Sequence, residues 1–373
     1  MEQFMRRYFP IVLLILLFFL PYNSLAGSKT KSQVLTYLTS LKLQPNKKVL
    51  SGQHTGWLND GNNGHDMYGN DLFGDIFTKS GGYTPAIMGA DIDYFNGNGP
   101  YDLSRLINHW NNGGLIELSW IAANPTNNQW TWPLNPPSVN LPDVYTPGNM
   151  IYNNFHAHMD IVAGALQTLQ ANGVVVLFRP LLEMNGGNDQ YPSWNWWGGK
   201  DTFQFKTLWQ YVHNYFTNVK GLNNIIWVYS VQNYWRKELD YYPGSNFVDV
   251  VGYDYYPLGW DGNYDRFPYV EEYDTLRFLG KPIALTELGQ CPADADWNSC
   301  INKDTRYIIN DIKSNMPDVV YWMNWDDQWE LGLNNYLPQL FADPWVVNRS
   351  DNPSGITPGQ NKVPSSPTGL SIH

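Results

Sequence analysis

Short runs of apolar and β-branched residues recur eight times along this chain of 373 residues, and helix-like stretches separate several of them. Buried strands that alternate with helices are typical of βαβ units, which build a parallel sheet. Eight such strands over roughly 300 residues fit a (β/α)8 barrel, whose usual size is about 250 residues. The predicted strands lie in the segments KKVLSGQ, YTPAIMGADIDYF, GLIELSWIA, GVVVLFRPLLE, NIIWVYS, VDVVGYDYY, KPIALTELG and DVVYWMNW.

The same elements allow one other arrangement, an open doubly wound sheet. The clearest helix-like segments are 152–172, 202–219 and 305–316. No G-x-G-x-x-G motif follows the first predicted strand, which disfavours a nucleotide-binding sheet of that kind. We therefore predict an α/β fold with a single catalytic domain, a (β/α)8 TIM barrel.

The two ends of the chain differ in composition from the middle. Two arginines precede an apolar run at 11–20, and Ser24-Leu25-Ala26 then forms a small-x-small cleavage site, as in a secretory signal peptide. The apolar run is shorter than the about 20 residues of a membrane span, and a retained signal anchor is the alternative. The last residues are rich in Pro, Ser and Gly, as linkers are. The predicted organisation is a signal peptide at 1–26, a catalytic domain at 27–349 and a linker-like tail at 350–373.

Composition narrows the class of partner. Charged residues make up 15% of the chain, against about 25% in an average soluble protein. The net charge is −11 without any run of Lys or Arg, which disfavours nucleic acid and anionic membranes as partners. Two cysteines and seven scattered histidines form neither C-x-x-C nor H-E-x-x-H, so no metal site is predicted. The 17 tryptophans exceed what core packing needs and favour an uncharged, aromatic-lined binding cleft.

Two glutamates end apolar strands that are not neighbours in the predicted barrel. Glu183 ends the fourth strand segment and Glu287 the seventh. Side chains at the carboxyl ends of barrel strands line the active site. A structural salt bridge or a helix cap explains a single glutamate at such a place. Two of them predict the carboxyl pair of a glycoside hydrolase, in which one protonates the leaving oxygen and the other attacks or activates water.

These residues also resemble a known family. RPLLEMNGG, followed by WNWWGG, resembles the acid/base segment of glycoside hydrolase family 26. The resemblance continues through SGQ (51–53), SWIAANP (119–125), GYDYY (252–256) and ALTELG (284–289), and so covers most of the chain from 49 to about 345. Family 26 enzymes are mostly secreted endo-β-1,4-mannanases that act with retention and without a cofactor. The resemblance implies that Glu183 is the acid/base and Glu287 the nucleophile.

Further residues carry over one at a time. Arg179 matches the family arginine near the nucleophile, where a guanidinium would hold the pKa of Glu287 low, while the acid/base needs a raised pKa. Tyr256 matches the tyrosine that binds the nucleophile, with Tyr255 as the alternative. The matches with the family's sugar-binding tryptophans are Trp325, with Trp322 as its alternative, and the pair Trp196 and Trp197.

The departures from the family pattern concern the cleavage subsite. The family commonly has histidine directly before the acid and in the third-strand segment, where this chain has Leu182 and Ile121. Leucine cannot hydrogen-bond a sugar hydroxyl, an interaction that strengthens in the transition state. The two changes leave open which sugar is bound there, but they remove neither carboxylate.

Weaker signals add little. Cys291 and Cys300 lie in one short loop, and in an exported protein they are expected to form a disulfide, with two free thiols as the alternative. DGNNGHD, at 60–66, predicts a polar turn rather than a calcium loop. Asp91 and Asp93 end the second strand and either line the cleft or cap a turn. Asn348-Arg349-Ser350 is a glycosylation sequon.

The sequence thus predicts a secreted (extracellular or periplasmic) retaining glycoside hydrolase that cleaves within a polysaccharide, first of all β-1,4-mannan. We expect a monomer with no cofactor and no nucleic-acid partner. Two alternatives stay open: a family-26-like hydrolase of another β-glycan such as β-1,3-xylan or β-glucan, and a carbohydrate-binding protein without turnover.

Overall fold

Eight parallel strands close into a barrel in the order in which they occur along the chain. Each of the eight predicted segments overlaps one of them, the first only at residues 52–53, and the last strand pairs with both the seventh and the first. The barrel therefore has no free edge, which confirms the barrel and excludes the open sheet. The strands are β1 (Gly52–Trp57), β2 (Ile87–Asp91), β3 (Leu115–Trp120), β4 (Val176–Pro180), β5 (Ile225–Gln232), β6 (Val250–Tyr255), β7 (Ile283–Leu288) and β8 (Val319–Asn324). Two short strands, Val49–Leu50 and Val346–Val347, pair with each other and join the same sheet outside the barrel through Leu50 and Tyr321.

The computed structural model describes residues 29–58, 71–92, 102–128, 138–187, 193–233, 237–256, 271–292 and 296–356. The predicted signal peptide, the segment at 60–66, Asp93 and most of the predicted tail lie outside these ranges. No helix in the ranges given is long and apolar enough to cross a membrane.

Helices surround the barrel and include the three that the sequence predicts. The predicted segment 202–219 is an α-helix that ends in one π-helical turn, Tyr215–Val219. The helices are α1 (Lys31–Leu41), α2 (Leu72–Ser80), α3 (Ser104–Asn111), α4 (Leu141–Tyr145), α5 (Met150–Ala171), α6 (Thr202–Asn214), α7 (Glu271–Arg277), α8 (Trp297–Cys300), α9 (Arg306–Asn315) and α10 (Leu337–Phe341).

Helix α1 closes the amino-terminal end of the barrel. Thr30 and Gln33 form a capping box at its first turn, which satisfies two free backbone N–H groups. The helix packs against two strands on different sides of the barrel, β5 and β8. Lys31 pairs with Asp249, directly before β6, at 3.1 Å. With this end covered, the carboxyl ends of the strands remain for the active site.

The end of the domain lies beyond the boundary that composition predicts. Ser354 is fully buried, its N–H donates to Gly113 and its carbonyl accepts from the N–H of Lys29. Ile356 is also buried. Residues 350–356 therefore pack on the barrel, because their backbone groups find partners there in spite of a linker-like composition.

Many aromatic residues lie in the core rather than in a cleft. Trp120 at the end of β3 stacks on Phe155 of α5 at 5.6 Å and on Phe178 of β4 at 6.4 Å. Fully buried tryptophans also include Trp110, Trp197, Trp209, Trp227 and Trp322. The expectation that the aromatic excess belongs mainly to a cleft is thus wrong for these residues, which fill the space between strands and helices.

Candidate active site

The chain leaves β4 in a strained turn that ends at Glu183. Leu181 and Glu183 have φ angles of +48° and +54°, in the left-handed region that costs a residue other than glycine about 1–3 kcal/mol. The N–H of Glu183 donates to the carbonyl of Ser230 in β5 at 3.0 Å, and its own carbonyl accepts from Gly186 at 3.0 Å. The turn is therefore held by the neighbouring strand.

The residues after Glu183 fasten this turn. The side-chain amide of Asn185 donates to the carbonyl of Gln232 at 2.9 Å and accepts from its N–H at 2.8 Å. Gly187 has φ +87°, and a β-carbon there would lie 2.4 Å from the amide nitrogen of Ser193. These contacts explain two residues of the MNGG sequence. The side-chain amide of Asn185 binds the turn to β5, and the absence of a side chain at Gly187 lets the segment that begins at Ser193 pack closely against it.

Glu287 lies in β7, where the register with both neighbouring strands shifts, and it binds two donors. Arg179 Nη1 donates to its Oε1 at 2.8 Å, and the Tyr256 hydroxyl donates to its Oε2 at 2.8 Å. Glu287 as a whole is 5% exposed. Tyr255 is buried edge-on against Tyr253 instead, so strand alternation brings Tyr256 and not its neighbour to the glutamate.

Arg179 is a fully buried guanidinium among acids. Its Nη1 also lies 3.1 Å from Asp254 Oδ2, and its Nε lies 3.3 Å from Glu117 Oε1. Asp254 pairs with Glu287 in the β6–β7 register at an irregularity of the sheet, and accepts from the Ser230 hydroxyl at 2.7 Å. Arg179 therefore links β3, β6 and β7, and it supplies the positive charge that buried carboxylates need.

The carboxyl groups of Glu183 and Glu287 lie close to each other and to Asp254. One carboxylate oxygen from each of Glu183, Asp254 and Glu287 lies within 4.8 Å of the other two. Retaining glycosidases hold their two carboxyls about 5–5.5 Å apart, and inverting ones about 6.5–9.5 Å apart. The separation between Glu183 and Glu287 fits the shorter spacing. These oxygens are also near enough to surround a cation, but Arg179 already pairs with Asp254 and Glu287, and we assign no metal to the site.

Burial dominates the electrostatics of both glutamates. It raises the pKa of Glu183 to about 8, an effect that the charge of Asp254 increases and the Trp194 N–H and Arg179 oppose. Burial also raises the pKa of Glu287 well above its usual range, with Asp254 adding to it and Arg179 opposing it. The expectation that Arg179 gives Glu287 a low pKa is thus wrong, because one guanidinium does not outweigh desolvation and several nearby carboxyls.

The two glutamates nevertheless differ in the hydrogen bonds that their carboxyl groups accept. Glu287 accepts from Arg179 and Tyr256, whereas among the described residues Glu183 accepts from Trp194 alone. Donors favour the charged form of a carboxyl. The hydrogen bonds therefore favour the charged form of Glu287 more than that of Glu183.

Two of the tryptophans near the site contact its charged residues, and the indole N–H groups of two others donate to the main chain around it. The indole of Trp194 donates to Glu183 Oε2, and Trp325 lies half-buried with its ring centre 5.8 Å from the Arg179 guanidinium carbon. Trp196 and Trp197 are buried and donate to the main-chain carbonyls of Ala122 and Leu182. These two support the loop rather than line the cleft. Trp322, the alternative to Trp325, is fully buried in β8.

Sequence reasoning missed four residues of the site. Asp254, Glu117, Ser230 and Trp194 were without a predicted role. Glu117 and Asp254 are acids within otherwise apolar strands, a signal that burial of an acid requires a partner. Trp194 stands in the same segment as the two predicted tryptophans, and only the loop geometry distinguishes it from them.

Two peripheral predictions lie away from this group. Cys291 and Cys300 are joined by a disulfide just after β7. Asn348 is buried and donates its side-chain amide to the carbonyl of Phe341 at 2.8 Å. The sequon asparagine is therefore inaccessible to glycosylation in the folded domain.

A barrel with two glutamates in this arrangement, at the carboxyl ends of β4 and β7, defines a glycoside hydrolase by its fold and site. Comparison with known proteins gives the family: the model of glycosyl hydrolase family 26 matches residues 23–351. The chain belongs to glycosyl hydrolase family 26, as the sequence motifs predict.

Relatives and solved structures agree with this assignment. The chain is 30% identical over 356 residues to a mannan endo-1,4-beta-mannosidase of Bacillus subtilis strain 168, covering 91% of each chain. It is 32% identical over 345 residues to mannan endo-1,4-beta-mannosidase A and B of Caldalkalibacillus mannanilyticus, covering 87% of this chain and 62% of the other. The solved structure of the Bacillus subtilis mannanase BCman is similar with a TM-score of 0.72 and 29% identity, covering 87% of this chain and 94% of that one.

Proposed function

We propose that this protein is a secreted endo-β-1,4-mannanase that cleaves mannan and galactomannan with retention of configuration. The observation that carries the proposal is the Glu183–Glu287 pair, with oxygens within 4.8 Å of each other. Membership of glycosyl hydrolase family 26 and likeness to mannan endo-1,4-beta-mannosidases support mannan as the substrate.

In the first step, the protonated Glu183 donates its proton to the glycosidic oxygen while Glu287 attacks the anomeric carbon. The bond between that carbon and the leaving oxygen breaks, and a covalent glycosyl–enzyme ester forms at Glu287. The proton on Glu183 is held because burial disfavours its charged form. Glu287 is oriented for attack because Arg179 and Tyr256 fix both of its oxygens.

In the second step, Glu183, now ionised, takes a proton from water as the water oxygen attacks the anomeric carbon. The ester to Glu287 breaks, and the product leaves with the original configuration. The indole N–H of Trp194 stabilises the charged form of Glu183 that the first step produces. One donor of this kind lets Glu183 alternate between acid and base.

The other polar residues hold the charges in place. Arg179 meets Glu287 on one side and is kept there by Glu117 and Asp254. An arginine paired with three acids is fixed in position as well as in charge. Trp325, next to Arg179 at the end of β8, is the side chain that we propose to stack against the sugar ring.

The choice of sugar is the open part of the proposal. Leu182 and Ile121 are buried and apolar, so neither offers a hydrogen bond at the subsite where the family commonly has histidine. Hydrolysis of another β-glycan, such as β-1,3-xylan or β-glucan, is the alternative that this observation favours. A binding protein without turnover is disfavoured, because both glutamates keep their hydrogen-bonded partners.

One experiment separates these functions. Purified wild-type protein and the Glu287→Ala variant are incubated with mannan, galactomannan, β-1,3-xylan and mixed-linkage glucan, and new reducing ends are measured. We expect wild-type activity on the two mannans and none in the variant, with NMR showing the β-anomer as the first product. Activity on another glycan alone would replace mannan as the substrate. Glycan binding without turnover would support the binding protein, and the α-anomer as the first product would contradict retention.

We further propose that the chain is exported by its first 26 residues and acts as a monomer without a cofactor. The charged, apolar and small residues at the start of the sequence support export. Amino-terminal sequencing of the protein from the culture medium is expected to begin at Gly27. Gel filtration is expected to give the mass of one chain, and dialysis against a chelator is expected to leave the activity unchanged.

A further inference from the structure

A buried histidine of β1 lies flat against Trp325. The imidazole of His54 and the indole of Trp325 have ring centres 4.0 Å apart and planes at 14° to each other. The main chain of Trp325 is held as well, since its N–H donates to Leu288 at 3.1 Å and its carbonyl accepts from the Gln53 side chain at 2.9 Å. His54 thus contacts the one predicted sugar-stacking tryptophan that lies half-buried beside Arg179.

The sheet makes room for this imidazole. In the β1–β2 register His54 is the partner of Gly89. A β-carbon at Gly89 would lie 3.0 Å from His54 Cδ2, which is closer than a normal van der Waals contact. Glycine at this strand position therefore leaves a space that the imidazole occupies, although glycine weakens a strand interior.

Both ring nitrogens of His54 are held from different elements. The N–H of Gly56 donates to Nδ1 at 3.2 Å, so the neutral ring carries its proton on Nε2. Nε2 lies 3.4 Å from the Ser119 hydroxyl of β3 and 3.9 Å from Asp91 of β2. Asp326, the residue after Trp325, lies 3.8 Å from Nδ1. The ring is therefore oriented by the first three strands and by the loop that carries the tryptophan.

From this arrangement we infer that His54 is a positioning residue for the sugar-stacking indole of Trp325, an inference that rests on the proposed function. A half-buried indole that must accept a sugar ring on a fixed plane benefits from a flat partner that is itself held in place. His54 supplies that partner from the core side of the barrel mouth. An aromatic pair of this kind corresponds to an effect of up to about tenfold.

The competing explanation is that His54 is an ordinary buried histidine that contributes only to stability. His109 of α3 offers a matched control, because it is equally buried, packs edge-on against Phe73 at 5.4 Å and lies 3.2 Å from the carbonyl of Ala86. It contacts Ala86, directly before the amino-terminal end of β2, whereas the site lies at the carboxyl ends of the strands. Its loss measures what a buried histidine contributes to stability alone.

The test compares His54→Ala, His54→Phe and His109→Ala at a temperature where each variant is folded, with kcat and KM measured on mannohexaose. We expect His54→Ala to lower kcat/KM about tenfold, and His54→Phe, which keeps the stack, to stay within about twofold of wild type. His109→Ala is expected to lower the unfolding temperature without changing kcat/KM. In a Trp325→Ala background, His54→Ala is expected to cause no further loss, because its effect passes through the indole.

Equal losses from His54→Ala with and without Trp325 would overturn the inference, and so would a loss in His54→Phe as large as in His54→Ala. Crystal structures of the His54 variants test the inference without any substrate, because they show the position of the Trp325 indole directly. We expect the Trp325 indole to shift or to adopt several conformers in His54→Ala and to keep its place in His54→Phe. An unmoved indole in His54→Ala would refute the inference even if mannan were not hydrolysed. Absence of wild-type turnover on mannan with a displaced indole would instead refute only the proposed function.

Discussion

The ends of β4 and β7 carry the same residue type in opposite settings. At the end of β4 the backbone is strained, and Glu183, with φ +54°, accepts from the Trp194 indole. At the end of β7 the backbone stays within the strand, although its register shifts there, and Glu287 accepts from Arg179 and Tyr256. Both carboxyls are about equally buried. The difference between them therefore lies in the donors and the backbone, and not in exposure to water.

In the proposed mechanism, this contrast is how one barrel makes an acid and a nucleophile from two glutamates. A carboxyl with few donors gains little help toward its charged form, whereas a guanidinium and a phenol favour the charged form of the carboxyl that they contact. The strained turn at Glu183 belongs to a loop, whereas Glu287 is part of the sheet. In the proposed mechanism, the acid/base therefore lies in a loop and the nucleophile in a strand.

The largest expected effect comes from removing the group at the end of β7. Glu287→Ala is expected to lower kcat on mannan by about 10⁴-fold or more, because no covalent intermediate can form. Added azide is expected to enter the vacated space and to give an α-glycosyl azide from an aryl β-mannoside of a mannan oligosaccharide. A β-glycosyl azide would reverse the assignment of the two glutamates. NMR of the azide product makes the distinction.

Removal of the group at the end of β4 has a smaller effect that depends on the leaving group. Glu183→Ala is expected to lower kcat on mannan about 10²–10⁴-fold, since proton transfer to the glycosidic oxygen is lost. With a dinitrophenyl leaving group, which needs no proton, the first step is expected to stay near the wild-type rate. Azide is then expected to yield the β-glycosyl azide. Equal losses with both leaving groups, measured by stopped-flow kinetics, would contradict the acid/base role.

Removal of the Tyr256 hydroxyl takes away only one of the two hydrogen-bond donors to Glu287 and leaves Arg179 in place. Tyr256→Phe is expected to lower kcat/KM about 10–100-fold, the range for a hydrogen bond to a charged group. The acidic limb of the pH profile of kcat/KM is expected to move to higher pH, because loss of a donor raises the pKa of Glu287. Tyr255→Phe serves as the control, since Tyr255 packs against Tyr253, and its profile is expected to match wild type.

The Trp194 indole is the corresponding donor at Glu183, and its effect on rate is the smallest. Trp194→Phe keeps a ring and removes the N–H. Because that N–H lowers the pKa of Glu183, which burial raises to about 8, the alkaline limb of kcat/KM is expected to move to higher pH. A shift to lower pH would contradict the assignment of that limb to Glu183.

Stability reports on the same proton without any substrate. The pKa of Glu183 rises from a usual value of 4.5 to about 8 in the folded protein, so the folded state binds this proton more tightly than the unfolded chain. The contribution to stability is complete below the lower value and is lost as the pH rises through the upper one. As the pH rises between those two values, the unfolding temperature of Glu183→Gln is expected to fall less than that of wild type. An equal fall of the unfolding temperature in wild type and Glu183→Gln would contradict the raised pKa of Glu183. Glu271→Gln, at an exposed position, is the control.

The fold was predictable from sequence because its signal is repeated. Eight apolar segments, each between polar loops, require eight buried strands, and the helices between them require parallel pairing. The segment 350–356 was not predictable in the same way. Its Ser and Asn residues are typical of a linker, and only the contacts of Ser354 with Lys29 and Gly113 show that it is packed.

The site was predictable in its reactive pair and not in the environment of that pair. Glu183 and Glu287 end strands, where chemistry is expected, and the motif around Glu183 is specific. Tyr256 rather than Tyr255 contacts Glu287, and Trp325 is partly buried whereas Trp322 is fully buried. Trp196 and Trp197, by contrast, support the loop, and Trp194 binds the acid, because the orientation of an indole in a loop depends on tertiary packing.

The sequence by itself determined the barrel, the family and the two glutamates, because strand periodicity and the residues at strand ends are local properties of the chain. Only the tertiary structure decided which residues surround them. Asp254 and Glu117 meet Arg179 from other strands, and His54 meets Trp325 across the barrel closure between β1 and β8. Distances between distant segments, and the burial that shifts a pKa, arise only when the sheet closes.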